Sequence, residues 1–300
     1  MTTVAEPPAP AKKRSSGPRA RTLRRATRHG GLIFGGIVLT VIVFVAIFAP
    51  WISPHDPYAQ DLPSRLIDPF WGAKPDPSHP LGTDQLGRDY LSRIFHGARI
   101  SLMIGFTTML VSGLIGTAMG VAAGYFGGRV DDIVNFAIVT RLSMPVILVA
   151  LAVVAVAGSS LTVVMAVLGC LLWDRFAVVM RAATRQVRDL EYVAAAQALG
   201  MSTWRIVASE ILPNVGGALI VVATLEMAHA ILLEAALSFL GLGVQPPTPS
   251  LGLMVSEGRQ VMFFKPWLIT IPGTALFLLV LSINLLGDGL RDVTSPEGRG

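Results

Sequence analysis

Charged side chains are scarce in this chain: Asp, Glu, Lys and Arg make up 14% of its 300 residues, against 52% hydrophobic. A soluble domain of this size carries about a quarter charged residues, so a soluble globular reading is excluded, and a mean hydropathy of +0.62 agrees. Cysteine is nearly missing. The lone Cys170 lies inside an apolar run, which excludes a disulfide framework and a cysteine-type metal cluster. Lysine occurs only at Lys12, Lys13, Lys74 and Lys265, and none of these follows a glycine. A phosphate-cradling loop needs Gly-Lys followed by Ser or Thr, so no such loop exists and ATP hydrolysis belongs on another chain. Gly-x-Ser-x-Gly, His-Glu-x-x-His and a paired intramembrane aspartate are missing as well. No catalytic residue, no metal site and no cofactor of its own is therefore assigned. The net charge of +5 comes largely from one tail, which speaks for a membrane surface rather than nucleic acid.

What is present is a series of apolar runs. Residues 1–30 are rich in Pro, Ala, Ser and Arg, with Lys12, Lys13, Arg14, Arg19 and Arg21 among the bases and Glu6 as the single acid. This composition cannot bury a core and reads as a disordered tail. Residues 31–52 hold about 20 apolar residues, enough to span a bilayer, with no small-residue cleavage site at the end. They read as a retained first span whose basic flank sets the N-terminus inside. Residues 53–99 follow outside as a proline-rich loop and a helix, and residues 100–296 carry five more spans. The expected runs are 100–125, 133–157, 161–180, 216–242 and 266–286, leaving 297–300 as a short tail. The prediction is an all-α membrane protein of six spans with both termini cytoplasmic.

Particular residues stand out within this frame. In the outer segment, Thr83 or Asp84 can cap a helix through 90–100, and Asp89 and Arg93 stand four apart as an ion pair. His79, Asp84 and Asp89 do not have a metal-ligand spacing. The second span carries Gly105, Gly113, Gly116, Gly120 and Gly124, a small-residue face for close helix packing. Arg141 lies in the third span near its inner end, where snorkelling to water is favoured over a place on the substrate path. Pro145 stands inside the same span. Trp173-Asp174-Arg175 is expected at the inner end of the fourth, with Arg181, Arg185 and Arg188 facing the cytoplasm. The fifth holds Glu226 and His229, one turn apart, and Glu234. Buried pairing and a translocation path are equally open for these three.

Between the fourth and fifth spans lies the most polar helix-forming stretch of the second half, 185–213: RQVRDLEYVAAAQALGMSTWRIVASEILP. Residues 191–199 are good helix formers. Gly200 can take a positive φ and end that helix in a sharp turn. Ser202 or Thr203 can cap a second helix, expected to stop before Pro213. Small alanines on the first helix allow another protein to approach closely, a shape suited to docking.

Ala194, Ala195, Ala196, Leu199, Gly200, Ile211 and Pro213 resemble the EAA loop of ATP-binding-cassette importer permeases, with Ala194 where the family pattern has its first glutamate. His79, Gly82, Thr83, Asp84, Gly87, Arg88 and Asp89, continued through Ser92, Arg93 and Ser101, resemble the HPLGTDxxGRDxxSR signature. That signature belongs to the C-type permease subunit of dipeptide, oligopeptide and nickel importers. The run 234–243 and the terminal Asn284, Gly287 and Asp288 of NLLGDGLRD are similar to the same subunits, although Leu251 replaces the usual tryptophan.

The resemblance implies a bacterial inner-membrane permease, non-catalytic itself, that pairs with a B-type permease subunit as a heterodimer. It also implies two ATP-binding-cassette ATPase subunits, which carry ATP and Mg, an extracytoplasmic substrate-binding protein, a short-peptide substrate and a membrane lipid environment. The 185–213 stretch would be the ATPase-coupling loop. Nickel chelate, glutathione or haem are alternative cargoes of the same importer class, and a proton-coupled carrier using Glu226, His229 and Glu234 is the reading from another class.

Overall fold

The computed structural model describes residues 30–294. The basic tail expected at 1–30 and the tail at 297–300 therefore fall outside the described residues, save for Gly30. Among the described residues the chain is helical with irregular connections.

α1 (Gly30–Ile52) is the first apolar run. One face packs on the last helix, α11 (Trp267–Thr294). A Cβ added at Gly35 would lie 2.8 Å from Leu285 Cβ and from the Ser282 carbonyl, so only glycine permits this approach. The opposite face leaves Phe34, Ile37, Val41 and Phe44 exposed, as expected of a helix side turned to lipid. An irregular segment follows to Asp89, and then α2 (Tyr90–Phe126) runs unbroken for 37 residues. The outer helix and the second span are thus one rod.

The glycines of α2 meet α6 (Trp173–Arg188), the most extensive helix pair in the molecule. A Cβ at Gly116 would fall 2.2 Å from the Trp173 carbonyl, and one at Gly120 would fall 2.6 Å from that of Ala177. The two backbones touch with no side chain between them, the packing expected from the small-residue face. Gly105, further along, instead makes room for the side chain of Ile231 of α9 (Leu212–Phe239).

The third run differs from expectation. It is two helices, α3 (Gly128–Leu142) and α4 (Val146–Ala157), meeting at 83°. Pro145 stands at the N-cap of α4; a proline removes a helical N–H and clashes with the preceding turn, and here it breaks the run rather than bending it. The fourth run is longer than expected. α5 (Leu161–Leu171) and α6 follow each other at a slight break at Leu172 and count as one span over Leu161–Arg188. Trp173-Asp174-Arg175 therefore lies near the middle of that run and not at its inner end.

α7 (Glu191–Ala198) precedes the glycine turn, and α8 (Thr203–Ile206) follows it. The helix does not stop before Pro213. A π turn over Val207–Ile211 carries α8 directly into α9, and Thr203–Phe239 is one 37-residue span. The wide turn makes room for the proline, which falls in the first turn of α9, where a missing N–H costs least. Asn214 Nδ2 donates to the Glu210 carbonyl at 2.6 Å. α10 (Leu251–Gly258) is a short helix whose N-cap Ser250 accepts from the Leu253 N–H. Among the described residues, five helices are long and apolar enough to cross a membrane, and the bent α3–α4 pair makes a sixth span if taken as one.

Candidate functional site

Helix formers from Glu191 to Ala198 give α7, and Gly200 at φ +74° ends it. The Met201 N–H returns to the Ala196 carbonyl at 3.2 Å and the Gly200 N–H to the Gln197 carbonyl at 2.9 Å. This is the two-bond closure of a helix by a left-handed residue. Nothing lies within 4 Å of a Cβ placed on Gly200, so the backbone angle alone selects glycine there. Ser202 holds the N-cap position of α8, but its hydroxyl makes no capping bond.

The expected coupling residues divide by face. Ala196 and Ile211 are buried with Val193, Ile206 and Met180 in one apolar cluster that seats the turn on α6 and α9. Ala194, Ala195, Leu199, Gly200 and Pro213 face outward. Leu199 is 83% exposed, and Trp204 beside it is 78% exposed. Trp204 was missed in the sequence, although an aromatic two residues past a capping serine was the available signal. The segment thus presents small alanines flanked by two large apolar side chains, held rigidly from behind.

α6 fastens this end of the molecule. Arg181 and Arg185 both bind the Asp131 carboxylate in the first turn of α3, and Arg188 Nη1 donates to the carbonyls of Gly124 and Tyr125 at 3.2 Å each. These arginines bolt α6 to α2 and α3 rather than simply facing water. Arg141 likewise ties helices together. Its Nε donates to the Leu171 carbonyl at 2.8 Å and its Nη1 contacts the Met144 carbonyl at 3.4 Å. Both carbonyls lie at helix breaks, where they lack an intrahelical donor, so the guanidinium closes the α3–α4 and α5–α6 breaks together.

Of the acids in the fifth span, Glu226 is 1% exposed and holds two partners: Arg175 Nη1 at 3.0 Å and His229 Nδ1 at 3.3 Å. Arg175 thereby leaves its sequence neighbour Asp174 and reaches a glutamate 51 positions away. Glu234 does not join them. It is fully buried and accepts from Ser238 Oγ at 2.7 Å and Ser250 Oγ at 2.9 Å, tying α9 to the start of α10.

The outer signature builds a second rigid region. Gly87, at φ +74°, passes so close to Asp61 that a Cβ would meet its carbonyl oxygen at 1.8 Å. Asp89, not Thr83 or Asp84, caps α2, accepting the Ser92 N–H at 2.8 Å. Thr83 instead takes the Ile67 N–H at 3.0 Å and donates to the Ser64 carbonyl. Asp84 receives Arg88 Nε at 2.6 Å and also binds Arg93, so the expected Asp89–Arg93 pair is replaced by Asp84–Arg88 and Asp84–Arg93. Both arginines continue to Glu257 of α10, Arg88 at 3.2 Å and Arg93 at 2.9 Å. His79 turns to Asp89, its Nδ1 2.9 Å from Oδ1. Outside this loop, Lys265 holds the Asp68 carboxyl below its ordinary range by a charged hydrogen bond. At the far end of α11, Asn284 is half-buried, Asp288 is exposed, and a Cβ on Gly287 would meet Thr224 Oγ1 at 2.4 Å.

An apolar cleft of about 890 Å³ separates α2 from α8 and α9, lined by Met109, Leu114, Tyr125, Phe176, Trp204 and Leu219 among others. Long apolar spans around a cleft, joined by an exposed helix–turn–helix, define a multi-pass membrane protein. Residues 116–299 match the family described as binding-protein-dependent transport system inner membrane component, and the chain belongs to it. Residues 17–69 match the N-terminal TM domain of oligopeptide transport permease C. Relatives include the dipeptide transport system permease protein of Haemophilus influenzae, 39% identical over 90% of this chain and 92% of the relative. The di/tripeptide transport system permease protein of Pseudomonas aeruginosa is 40% identical over 89% and 87%. Among solved structures, the inward-facing MetNI methionine ABC transporter shares the fold at a TM-score of 0.56 and 18% identity, over 68% of this chain and 97% of that one. The chain is a multi-pass inner-membrane permease of an ATP-binding-cassette importer, a class that works with ATPase and substrate-binding partners.

Proposed function

We propose that this permease forms half of the translocation path for short peptides, di- or oligopeptides, beside a B-type permease in a heterodimer. The observation that carries the coupling reading is the exposed α7–Gly200–α8 segment, buried on one face and continuous with the α9 span. Two separate ATPase subunits hold the ATP and Mg, and one of them docks on Ala194, Ala195, Leu199 and Trp204 of this chain. This chain is non-catalytic and leaves ATP and Mg to those subunits. Closure of the ATPases moves the docked segment as a rigid body, and α9 carries the motion to the cleft. Both termini lie on the cytoplasmic side, and the signature region faces the extracytoplasmic binding protein. The peptide assignment rests on the names of the two relatives and on the signature.

The partnering of Glu226 by both Arg175 and His229 favours a fixed structural cluster over a proton relay. The test is a mild-detergent pull-down of the tagged chain with a peptide-uptake assay. Co-purification of a second permease and P-loop ATPases, with vanadate-sensitive uptake, is the expected outcome. Leu199→Glu should lose the ATPases while the chain remains inserted in the membrane. Gradient-driven uptake by the chain alone, indifferent to vanadate, would overturn the proposal.

A further inference from the structure

While Asp84 is taken by arginines, the other two ionisable residues of the same loop meet a third from elsewhere. Three segments converge at the outer ends of α1 and α2: His55 follows α1, His79 lies in the loop and Asp89 opens α2. His79 Nδ1 is 2.9 Å from Asp89 Oδ1, and His55 Nδ1 is 3.8 Å from the same oxygen. The two imidazole rings stand 4.5 Å apart between centroids, and one donor atom from each residue falls within 4.8 Å of the other two.

These spacings suit a small tetrahedral centre. Nitrogen and oxygen ligands about 2.0–2.1 Å from a zinc ion sit about 3.3 Å from one another, between the two distances to Asp89. The supporting geometry is already in place. Asp89 Oδ2 is held by the Ser92 N–H, which leaves Oδ1 for the two histidines. The His55 N–H donates to Ser92 Oγ at 3.1 Å and fixes the backbone that presents the first imidazole. Burial is graded, with the Asp89 side chain fully buried, His79 15% exposed and His55 40% exposed. Solvent therefore reaches the cluster from the His55 side.

We propose that His55, His79 and Asp89 bind a divalent transition-metal cation of the zinc type, with water as the fourth ligand. Two imidazoles and one carboxylate suit zinc and its neighbours and not calcium or magnesium, which take oxygen ligands. Both histidines bind as neutral rings. His79 carries its ring proton on Nε2, its Nδ1 lone pair faces the metal, and the metal replaces the hydrogen bond to Asp89. The bound cation ties the segment after α1 to the cap of α2 and so pins the first span to the second from outside. The cluster was not legible in the sequence, because His55 lies 24 positions before His79, a separation no short ligand motif contains.

The test uses the full chain purified in detergent with its co-purifying subunits, on an affinity tag free of histidine, after removal of metal by a chelator. Zn²⁺ is titrated by calorimetry and Co²⁺ by visible absorption. A single saturable site with the intense visible bands of tetrahedral Co²⁺ is expected. His55→Ala, at the most exposed ligand, should weaken binding by about 100-fold or more and should abolish the rise in melting temperature that Zn²⁺ gives the parent. His96→Gln, a neighbouring histidine outside the set, should bind as the parent does. No saturable binding by the parent, or equal affinity in the parent and His55→Ala, would overturn the proposal.

Discussion

Asp84→Asn removes one carboxylate from a closed set of two guanidinium groups, Arg88 and Arg93, and two acids, Asp84 and Glu257. The side chains of Arg93 and Arg88 are 0% and 5% exposed, and Glu257 keeps 26%. After the change two buried cations face Glu257 alone. Taking one partner from a buried pair costs about 3–5 kcal/mol, because the remaining charge loses both water and counter-ion. Each kcal/mol lowers the melting temperature of a protein of this size by about 2–4 °C, so the drop should be roughly 6–20 °C. Glu257→Gln should cost less than half as much, since water already reaches that carboxylate. The double variant Asp84→Asn with Arg88→Gln restores charge balance and leaves Arg93 with Glu257, so it should recover more than half of the loss. Tryptophan fluorescence on heating in detergent reads all three. The reasoning fails if Asp84→Asn melts with the parent, or if Glu257→Gln is the more damaging change.

Gly200→Val forces a β-branched residue to φ +74° and should abolish uptake while leaving membrane insertion intact, whereas Gly200→Asn, which tolerates that region, should keep most of it. Uptake assays with membrane fractionation decide between them, and normal transport by the valine variant would sink the coupling reading. Arg141→Met deprives the Leu171 and Met144 carbonyls of their donor and should destabilise by about 1–3 kcal/mol, seen as a lower melting temperature with the membrane level unchanged. Asp68 is depressed below the ordinary 3.8 by Lys265. Its contribution is therefore complete above that value and fades as pH falls through the depressed one. The melting difference between the parent and Lys265→Met should be flat from about pH 8 to 5 and shrink below about pH 4.

Hydropathy was sufficient to place the long spans, because a bilayer demands apolar runs of fixed length and nothing else in the chain competes with them. The glycine face of α2 and the turn at Gly200 were also legible, since each depends on a residue with no substitute. Proline was not read so well. Pro145 and Pro213 carry the same local rule, yet one breaks a span and the other is absorbed by a π turn. Caps failed where candidates crowded: Thr83, Asp84 and Asp89 are all competent, and Asp84 was removed from the contest by arginines in its own neighbourhood. The partners of Arg141 and Arg175 lie across the fold, and periodicity cannot reveal a contact between a charge and a carbonyl 30 residues away.

The uninterrupted passage from α8 through the π turn into α9 has a mechanical consequence. A loop at Pro213 would have acted as a joint, letting the outer tip move while the span stood still. The rod instead runs 37 residues, about 55 Å at 1.5 Å per residue. A tilt of about 5° imposed at Thr203 then displaces the opposite tip by about 5 Å, the width of one helical turn. Small strokes at one end of this lever become gate-sized displacements at the other, and stiffness along its length sets how much of each stroke arrives.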